Sequence, residues 1–197
     1  MGIERYVEMK TRVMISHTDC RNCFAECERS GNPSLYGEPI GILSNNDGAI
    51  VSRSKELKDL GIPMAAAPFE YKEILSANKV HLFSSNYELY GPLSMQVFNI
   101  GSKYSPEPFK YSIDEFFARH YDYNHDDLHT HLTNMGREIK KKTSLPTSTG
   151  CAPTMALAKI ATAFAKDFPK YKDICIIDTI EKRDKALKLT PVKKYGE

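Results

Sequence analysis

The irregular order of the predicted strands and helices is the feature that most constrains the fold. Apolar residues at helical spacing predict helices, and short β-rich runs bounded by Gly, Pro, Asn or Asp predict strands. The predicted strands are 13–18, 39–44, 49–53, 80–83, 109–113, 116–120 and 174–177, and the predicted helices are 22–29, 54–60, 68–77, 86–100, 126–142, 153–166 and 179–189. Because strands and helices do not alternate one for one, we predict an α+β fold, with helices on one face of an antiparallel sheet.

A hairpin signal indicates a smaller subdomain inserted after the first strand. Pro39–Ser44 and Ala49–Arg53 flank a turn that contains Asp47-Gly48, and an Asp-Gly pair tolerates the positive φ of tight hairpin turns. The stretch 31–85, which contains this hairpin, is therefore predicted to form the subdomain. Further along the chain, the Ser/Thr/Pro-rich stretch 143–149 is interpreted as a link that leads to Gly150.

Composition places the chain among globular proteins of a reducing compartment. Hydrophobic residues make up 41% of its 197 residues, but no apolar run is long enough to span a membrane and the N-terminus lacks an apolar signal segment. Five cysteines without a paired framework favour the cytoplasm. The net charge of +2 gives no general bias towards nucleic acid. Two basic clusters, at 137–142 and 181–197, suit either phosphate contacts or solvated helix faces.

Three acidic residues are placed at the ends of predicted strands. Asp19 follows the first strand, and Asp114 and Glu115 lie between two later strands about 95 residues further along. Three such acids could hold two divalent metal ions for phosphoryl transfer, and Mg²⁺ suits carboxylate ligands. Neighbouring residues of a strand point to opposite faces, so the backbone must turn at Asp114 and Glu115 if both are to serve one site. On pattern alone, turn and helix-cap roles are the more common explanation of such acids.

A cysteine-rich stretch offers a different reading of the same segment. His17, Cys20, Cys23 and Cys27 lie close together in sequence, and Cys-x-x-Cys with a nearby His can form half of a zinc site. Cys151 and Cys175 could complete it. The segment would then serve a structural or redox role rather than phosphoryl transfer. No second Cys-x-x-Cys is present, which makes this the weaker alternative.

Seven segments resemble, in order, the catalytic subunit of bacterial DNA polymerase V, a Y-family lesion-bypass DNA polymerase. The segments are Asp19–Glu28, Asn32–Pro39, Leu43–Gly48, Phe83–Tyr90, Tyr111–Glu115, Gly136–Ile139 and Leu157–Ala161. The resemblance covers about residues 13–192. It implies template-directed synthesis of DNA in the SOS response, with a ferredoxin-like palm and an inserted fingers subdomain.

The resemblance also implies which residues form the site. Two Mg²⁺ ions would be held by Asp19, Asp114 and Glu115, with the backbone carbonyl of Cys20 as a further ligand. The residues that match nucleotide-binding positions are Phe24, Ser52, Lys55, Lys58 and Lys159. Phe24 matches the aromatic residue that excludes a 2′-hydroxyl, and the lysines would place positive charge beside the triphosphate.

The resemblance further implies a domain division and a set of partners. The division is an N-terminal extension (1–12), a palm (13–23 and 85–178), fingers (24–84) and the start of a truncated thumb (179–197). Primer–template DNA and a deoxynucleoside triphosphate are the expected partners, and an accessory subunit and a sliding clamp would bind through the missing C-terminal part. The alternative is a truncated, non-catalytic paralogue or fragment that binds nucleotide or a partner.

Overall fold

The structure is a computed structural model that describes residues 12–191. Its strands form two sheets. The larger sheet has the order β5-β6-β1-β7-β8 and consists of β1 (Val13–Cys20), β5 (Glu107–Lys110), β6 (Glu115–Tyr121), β7 (Thr147–Ala152) and β8 (Ile174–Ile176). The smaller has the order β3-β2-β4 and consists of β2 (Ile40–Leu43), β3 (Ile50–Arg53) and β4 (His81–Ser84). The predicted N-terminal extension, except residue 12, and the predicted thumb beyond residue 191 lie outside the described residues.

Seven α-helices connect the strands of the described chain. They are α1 (Cys23–Gly31), α2 (Lys55–Asp59), α3 (Lys72–Ala77), α4 (Tyr87–Gly101), α5 (His125–Thr143), α6 (Met155–Asp167) and α7 (Ile180–Leu189). Most of them begin after a Ser, Thr or Asn whose side chain accepts a backbone N–H of the first turn, as Ser54 does for α2 and Thr154 for α6. Within residues 12–191, none of these helices combines the length and the apolar character that crossing a bilayer requires.

Strand β1 lies at the centre of the larger sheet. It pairs antiparallel with β6 on one side and with β7 on the other, and β8 pairs parallel with β7. Strands β5 and β6 pair antiparallel, as predicted, with Phe109 opposite Phe117. Strand β5 ends at Lys110 rather than at residue 113, because the chain turns over the next four residues.

Helices cover both faces of the larger sheet. One core contains Met14, Ile174 and side chains of α4 and α5, whereas a second contains Cys175, Ile177 and side chains of α6 and α7. Alternate residues at β8 thus point to opposite faces, and both faces are apolar there. The α+β class is confirmed, but the prediction that helices cover only one face is wrong.

The stretch 143–149 is not a simple link, because it contains the start of the central strand β7. All six residues of β7 are buried, although the strand is rich in Thr, Ser and Gly. Its hydroxyl groups are satisfied inside the protein: Thr149 Oγ1 lies 2.9 Å from Thr18 Oγ1, and Ser148 Oγ donates to Asp173 at 3.1 Å. These internal partners allow a polar strand to be buried.

Gly150 allows α6 to pack directly on β7. A Cβ at this position would lie 2.1 Å from the backbone nitrogen of Thr162 and 2.3 Å from the carbonyl oxygen of Ala158. Both obstacles are backbone atoms of α6, so neither can rotate away. The position of α6 therefore depends on glycine at residue 150, because glycine has no side chain. Helix α6 also carries residues of the candidate site.

We predict that Gly150→Ala destabilises the fold by about 3 kcal/mol or more, since overpacked cores cannot absorb a backbone clash. Gly136→Ala is the matched control. In α5 its Cβ would meet only Thr147 Oγ1, at 3.5 Å, and alanine favours the helix by about 1 kcal/mol. Urea unfolding should separate the two variants, and equal midpoints would contradict this account of the packing of α6.

The smaller sheet contains the predicted hairpin. Strands β2 and β3 pair antiparallel, and β4 adds parallel to β2. Asp47 in the turn has a φ of 55°, the left-handed conformation that the Asp-Gly pair predicts. A third core, built on Ile50, Leu57 and Ile62, stabilises this region, and α1 contacts both β2 and β3. Helix α1 therefore joins the smaller sheet to the end of β1.

Candidate active site

The pairing of β1 with β6 brings the predicted acidic residues to one edge of the larger sheet. Asp19, the penultimate residue of β1, lies directly opposite Glu115, the first residue of β6. The backbone N–H of Cys20 donates to the carbonyl of Asp114 at 2.9 Å, which ties the end of β1 to the turn before β6. The three acids are thus adjacent, although about 95 residues separate them in the sequence.

The turn before β6 directs the two neighbouring acids differently. Ser112 Oγ donates to Asp114 Oδ1 at 2.7 Å and accepts the backbone N–H groups of Asp114 and Glu115. The N–H groups of Tyr111 and Ser112 both donate to the carbonyl of Glu115. Asp114 lines a cavity beside the smaller sheet, and Glu115 faces α6. The backbone therefore turns at these residues, but the two carboxylates line different cavities, and Asp19 lines both.

Two lysines of α6 neutralise two of the acids. Lys166 Nζ lies 2.5 Å from Asp19 Oδ2, and Lys159 Nζ lies 3.0 Å from Glu115 Oε2. Lys159 also lies over the ring of Tyr111, 4.5 Å from its centre. The sequence analysis included Lys159 but missed Lys166. The spacing between Lys159 and Lys166 could have identified Lys166, because residues seven positions apart lie on the same face of a helix.

The acids are electrostatically coupled and partly desolvated. Burial raises the pKa of Asp19 to about 6; Lys166 opposes this rise, and Asp114 and Glu115 add to it. The pKa of Glu115 falls to about 2, chiefly because of neighbouring His17 and then because of Lys159. Burial therefore makes ionisation of Asp19 less favourable in free energy, and a cation beside it would stabilise the ionised form.

His17 lies behind the acids on the face of β1 that α6 covers. Its Nδ1 lies 2.8 Å from Thr162 Oγ1, while Nε2 lies 3.5 Å from Glu115 Oε2 and has no hydrogen-bond partner among the described residues. Burial lowers the pKa of His17, which favours the neutral ring. The sequence pattern indicates this histidine only as part of a zinc site.

The zinc site proposed as an alternative does not form. His17 and Cys20 are three positions apart on β1, so they point to opposite faces of the sheet. The Cys20 thiol is instead buried with Cys23 and Cys27 in the core beside α1. Its hydrogen-bond contact with Cys23, together with burial, raises the pKa of the Cys20 thiol. Only the backbone carbonyl of Cys20 remains for the predicted ligand role.

A cavity of about 200 Å³ adjoins the acids on the side of the smaller sheet. Asp19, Asp114, Phe24, Ser52 and Lys58 all line it. The Phe24 ring stacks on buried Tyr90, with 4.6 Å between centroids and an angle of 11° between planes. The cavity therefore has an acidic end and a fixed aromatic wall.

The lining of this cavity also contains basic residues, namely Arg53, Lys58 and Lys166. Lys58 Nζ donates to Asn22 Oδ1 at 2.5 Å, and Asn22 holds the left-handed conformation, with a φ of 52°. Burial lowers the pKa of Lys58, and the positive charges of Arg53, Lys166 and Arg21 lower it further. Such an accumulation of cations suits a polyanionic ligand.

Two of the residues around this cavity differ from the sequence expectation. Lys55 is exposed, lies 2.5 Å from Asp59 and does not line the cavity. Arg53 does line it but was not predicted. Its Nη1 donates to the carbonyl of Ile62, and its Nε is buried without a hydrogen-bond partner in the described chain. Nothing in the local pattern distinguished Arg53 from a solvated strand residue.

The chemistry of the donor set fits divalent cations such as Mg²⁺. Carboxylate oxygens are the ligands that Mg²⁺ prefers, and Asp19, Asp114 and Glu115 supply them at one edge of the sheet. Among residues 12–191, no three His, Cys, Asp or Glu side chains are already gathered around one point. The ammonium groups of Lys166 and Lys159 balance the charges of Asp19 and Glu115. A bound metal cation would replace these ammonium groups.

A larger cavity, of about 390 Å³, lies between α6, α7 and β8. Its lining is mostly apolar and contains no carboxylate. It therefore lacks the carboxylates that converge at the acidic edge of the sheet, although two histidines and three lysines line it. Its larger volume is therefore not evidence that it is the active site.

The chain matches the impB/mucB/samB family over residues 18–163. Protein ImpB of Salmonella typhimurium is 37% identical over 185 residues, covering 93% of this chain and 43% of ImpB. Protein UmuC of Salmonella typhimurium strain LT2 is 36% identical, covering 91% of this chain and 43% of UmuC. The insertion ternary complex of Dbh DNA polymerase superposes with a TM-score of 0.80 at 21% identity, covering 93% of this chain and 54% of that one. The chain thus spans less than half the length of these two curated relatives.

Proposed function

The chain belongs to the impB/mucB/samB family of Y-family polymerase domains, and we propose that it forms the catalytic core of a lesion-bypass DNA polymerase. It would add a deoxynucleotide to a primer 3′-hydroxyl opposite a template base and release pyrophosphate. Primer–template DNA and a deoxynucleoside triphosphate are the proposed partners. We assign the larger sheet to the palm and the smaller sheet, with α1 to α3, to the fingers.

One observation carries the proposal: Asp19, Asp114 and Glu115 lie at one sheet edge, beside a cavity that basic residues also line. A triphosphate carries several negative charges, and its transfer requires cations near the reacting oxygens. The three carboxylates supply ligands for such cations, and Lys58 supplies positive charge in the lining of the same cavity. This arrangement suits nucleotidyl transfer better than simple binding of a neutral ligand.

The proposed mechanism assigns separate tasks to the residues around the acids. Two Mg²⁺ ions, when bound to Asp19, Asp114, Glu115 and the Cys20 carbonyl, supply charge stabilisation to the attacking and leaving oxygens. Ser112 orients the Asp114 carboxylate through its 2.7 Å hydrogen bond. Lys58 and Lys159 are proposed to attract the phosphate oxygens as point charges. Binding of the nucleotide with its cations would release Lys159 from Glu115.

We predict that Asp114→Ala abolishes primer extension, lowering the rate by at least about 100-fold, because electrostatic stabilisation of the transition state is lost. The assay is Mg²⁺-dependent extension of a labelled primer at low salt. Asp126→Ala is the matched control, since Asp126 is exposed on α5 and lies away from the cleft. Extension by the Asp114 variant at the wild-type rate would contradict the proposal.

We predict that Phe24→Ala increases ribonucleotide incorporation relative to deoxynucleotide incorporation. Phe24 is held by Tyr90 and, edge to face, by Tyr87. A ring fixed in this way can exclude a 2′-hydroxyl by contact, and removing it opens space beside the sugar. Single-nucleotide insertion with matched ribo- and deoxynucleotides measures the ratio. An unchanged ratio would remove Phe24 from this role.

A second candidate function is nucleotide binding without extension. The acidic edge and the basic cavity are both present within residues 12–191, whereas the chain covers only 43% of ImpB and of UmuC. Phosphate contacts to the duplex supply much of the affinity for DNA. Mg²⁺-dependent binding of a deoxynucleoside triphosphate, measured without DNA, distinguishes this candidate from polymerisation.

A further inference from the structure

We propose that the outer edge of β8 is a docking site for an extended, acidic segment of a partner protein, which adds to the larger sheet as a further strand. The site is separate from the acidic edge of the sheet, because Asp19, Asp114 and Glu115 do not line the cavity beside it. The inference therefore does not depend on the proposed polymerase function. Three features carry it: the unpaired edge of β8 in the described chain, a cavity along that edge and the lysines around the cavity.

Strand β8 has one edge without a partner strand. It ends the larger sheet, and within residues 12–191 it pairs with β7 only. The N–H of Ile177 donates to the carbonyl of Cys151 in β7, at 2.8 Å. Alternate residues of a parallel strand bond to the same neighbour, so Ile174 and Ile176 turn their N–H and C=O groups away from β7. A row of such groups is a template on which another strand can pair.

The cavity of about 390 Å³ runs along this outer edge. Successive residues of a strand point to opposite faces. Ile174 belongs to the core that includes side chains of α4 and α5, and Cys175 to the core that includes side chains of α6 and α7. Both residues line the same cavity. Since β7 covers the inner edge of β8, a single cavity can reach both faces only around the outer edge.

Two large apolar side chains beside the cavity are exposed. Phe168 and Leu189 line it and keep 43% and 58% of their surface accessible to water. A single exposed apolar residue is ordinary, but these two lie together beside an unpaired edge. A peptide strand that adds to a sheet gains affinity from main-chain hydrogen bonds and specificity from pockets for alternate side chains. The edge and the cavity supply both kinds of contact.

The charges around the cavity indicate an acidic occupant. Lys170, Lys182 and Lys185 line it, together with two histidines, and no carboxylate does. Lys182 is already paired with Asp178, at 2.7 Å. Lys170 and Lys185 are exposed, and neither forms an ion pair with any of residues 12–191. Carboxylates of a bound segment would therefore complement two cations that lack an acidic partner in this part of the chain.

The same charges make the terminal residues of this chain less suitable occupants. Residues 192–197 follow α7 in the sequence and contain Lys193 and Lys194 against one acid, Glu197. Residues 1–11 contain two acidic and two basic side chains. Neither segment carries the net negative charge that the lysines around the cavity favour. An acidic segment of another protein complements the site better.

The test is the binding of a synthetic peptide to the purified chain, followed by residue-resolved hydrogen exchange. The peptide is about eight residues long, the length of an ordinary strand, and alternates Val with Glu. We predict that the amide of Ile176 exchanges faster than that of Ile177 in the chain alone and becomes protected when the peptide binds. The same peptide with every backbone nitrogen methylated keeps its charge but has no N–H donors, and it should not bind.

A charge-reversal variant tests the role of the lysines. We expect Lys170→Glu combined with Lys185→Glu to weaken peptide binding by about tenfold, because two attractive charges at the rim become repulsive. Lys140→Glu combined with Lys141→Glu is the matched control. It changes the net charge equally, at exposed positions of α5 that do not line the cavity, and should bind the peptide as the unmodified chain does.

Three results would overturn the inference. An Ile176 amide that is as protected as Ile177 in the chain alone would mean that the chain covers its own edge. No binding at about 1 mM peptide, or equal binding of the methylated peptide, would exclude strand addition at this site. Equal weakening by the two double variants would reduce the interaction to overall charge. None of these measurements uses primer extension, so failure of the proposed function would be seen separately.

Discussion

The site depends on the antiparallel register of β1 and β6. That register places Asp19 opposite Glu115, and the hydrogen bond from Cys20 to the Asp114 carbonyl brings in the third acid. Backbone hydrogen bonds of adjacent strands fix these positions without any attraction between the acids, which repel one another. The lysines of α6 offset this repulsion, and α6 can approach only because residue 150 is glycine.

The acidic and basic residues around the cavity hold their charge in different ways. Asp19 and Glu115 are each paired with a lysine of α6. Lys58 donates to an uncharged asparagine, and burial, followed by its positive neighbours, lowers its pKa. A metal–triphosphate complex carries cations for the acids and anions for Lys58. The same ligand would therefore relieve unfavourable electrostatics at both kinds of residue, which is a reason for nucleotide and cations to bind together.

The sequence predicted those features that local patterns encode. The helix over 126–142 follows from apolar periodicity and the Asp-Gly hairpin from turn chemistry, and both are confirmed. Strand β7 was missed because its buried Thr and Ser residues resemble a polar link until their internal partners are known. The contacts of Lys166 and His17 were missed because they depend on how α6 crosses β1, which is set by tertiary packing rather than by neighbouring residues.

Anomalous diffraction from crystals grown with Mn²⁺ and a non-hydrolysable deoxynucleoside triphosphate analogue tests the central claim most directly. The account predicts anomalous peaks within bonding distance of Asp19, Asp114 and Glu115, with the triphosphate extending towards Lys58. It also predicts that Lys166 Nζ moves away from Asp19 Oδ2, so that the two atoms lie farther apart than the present 2.5 Å. Peaks located elsewhere, with Lys166 still bound to Asp19 and the analogue outside the cleft, would contradict it.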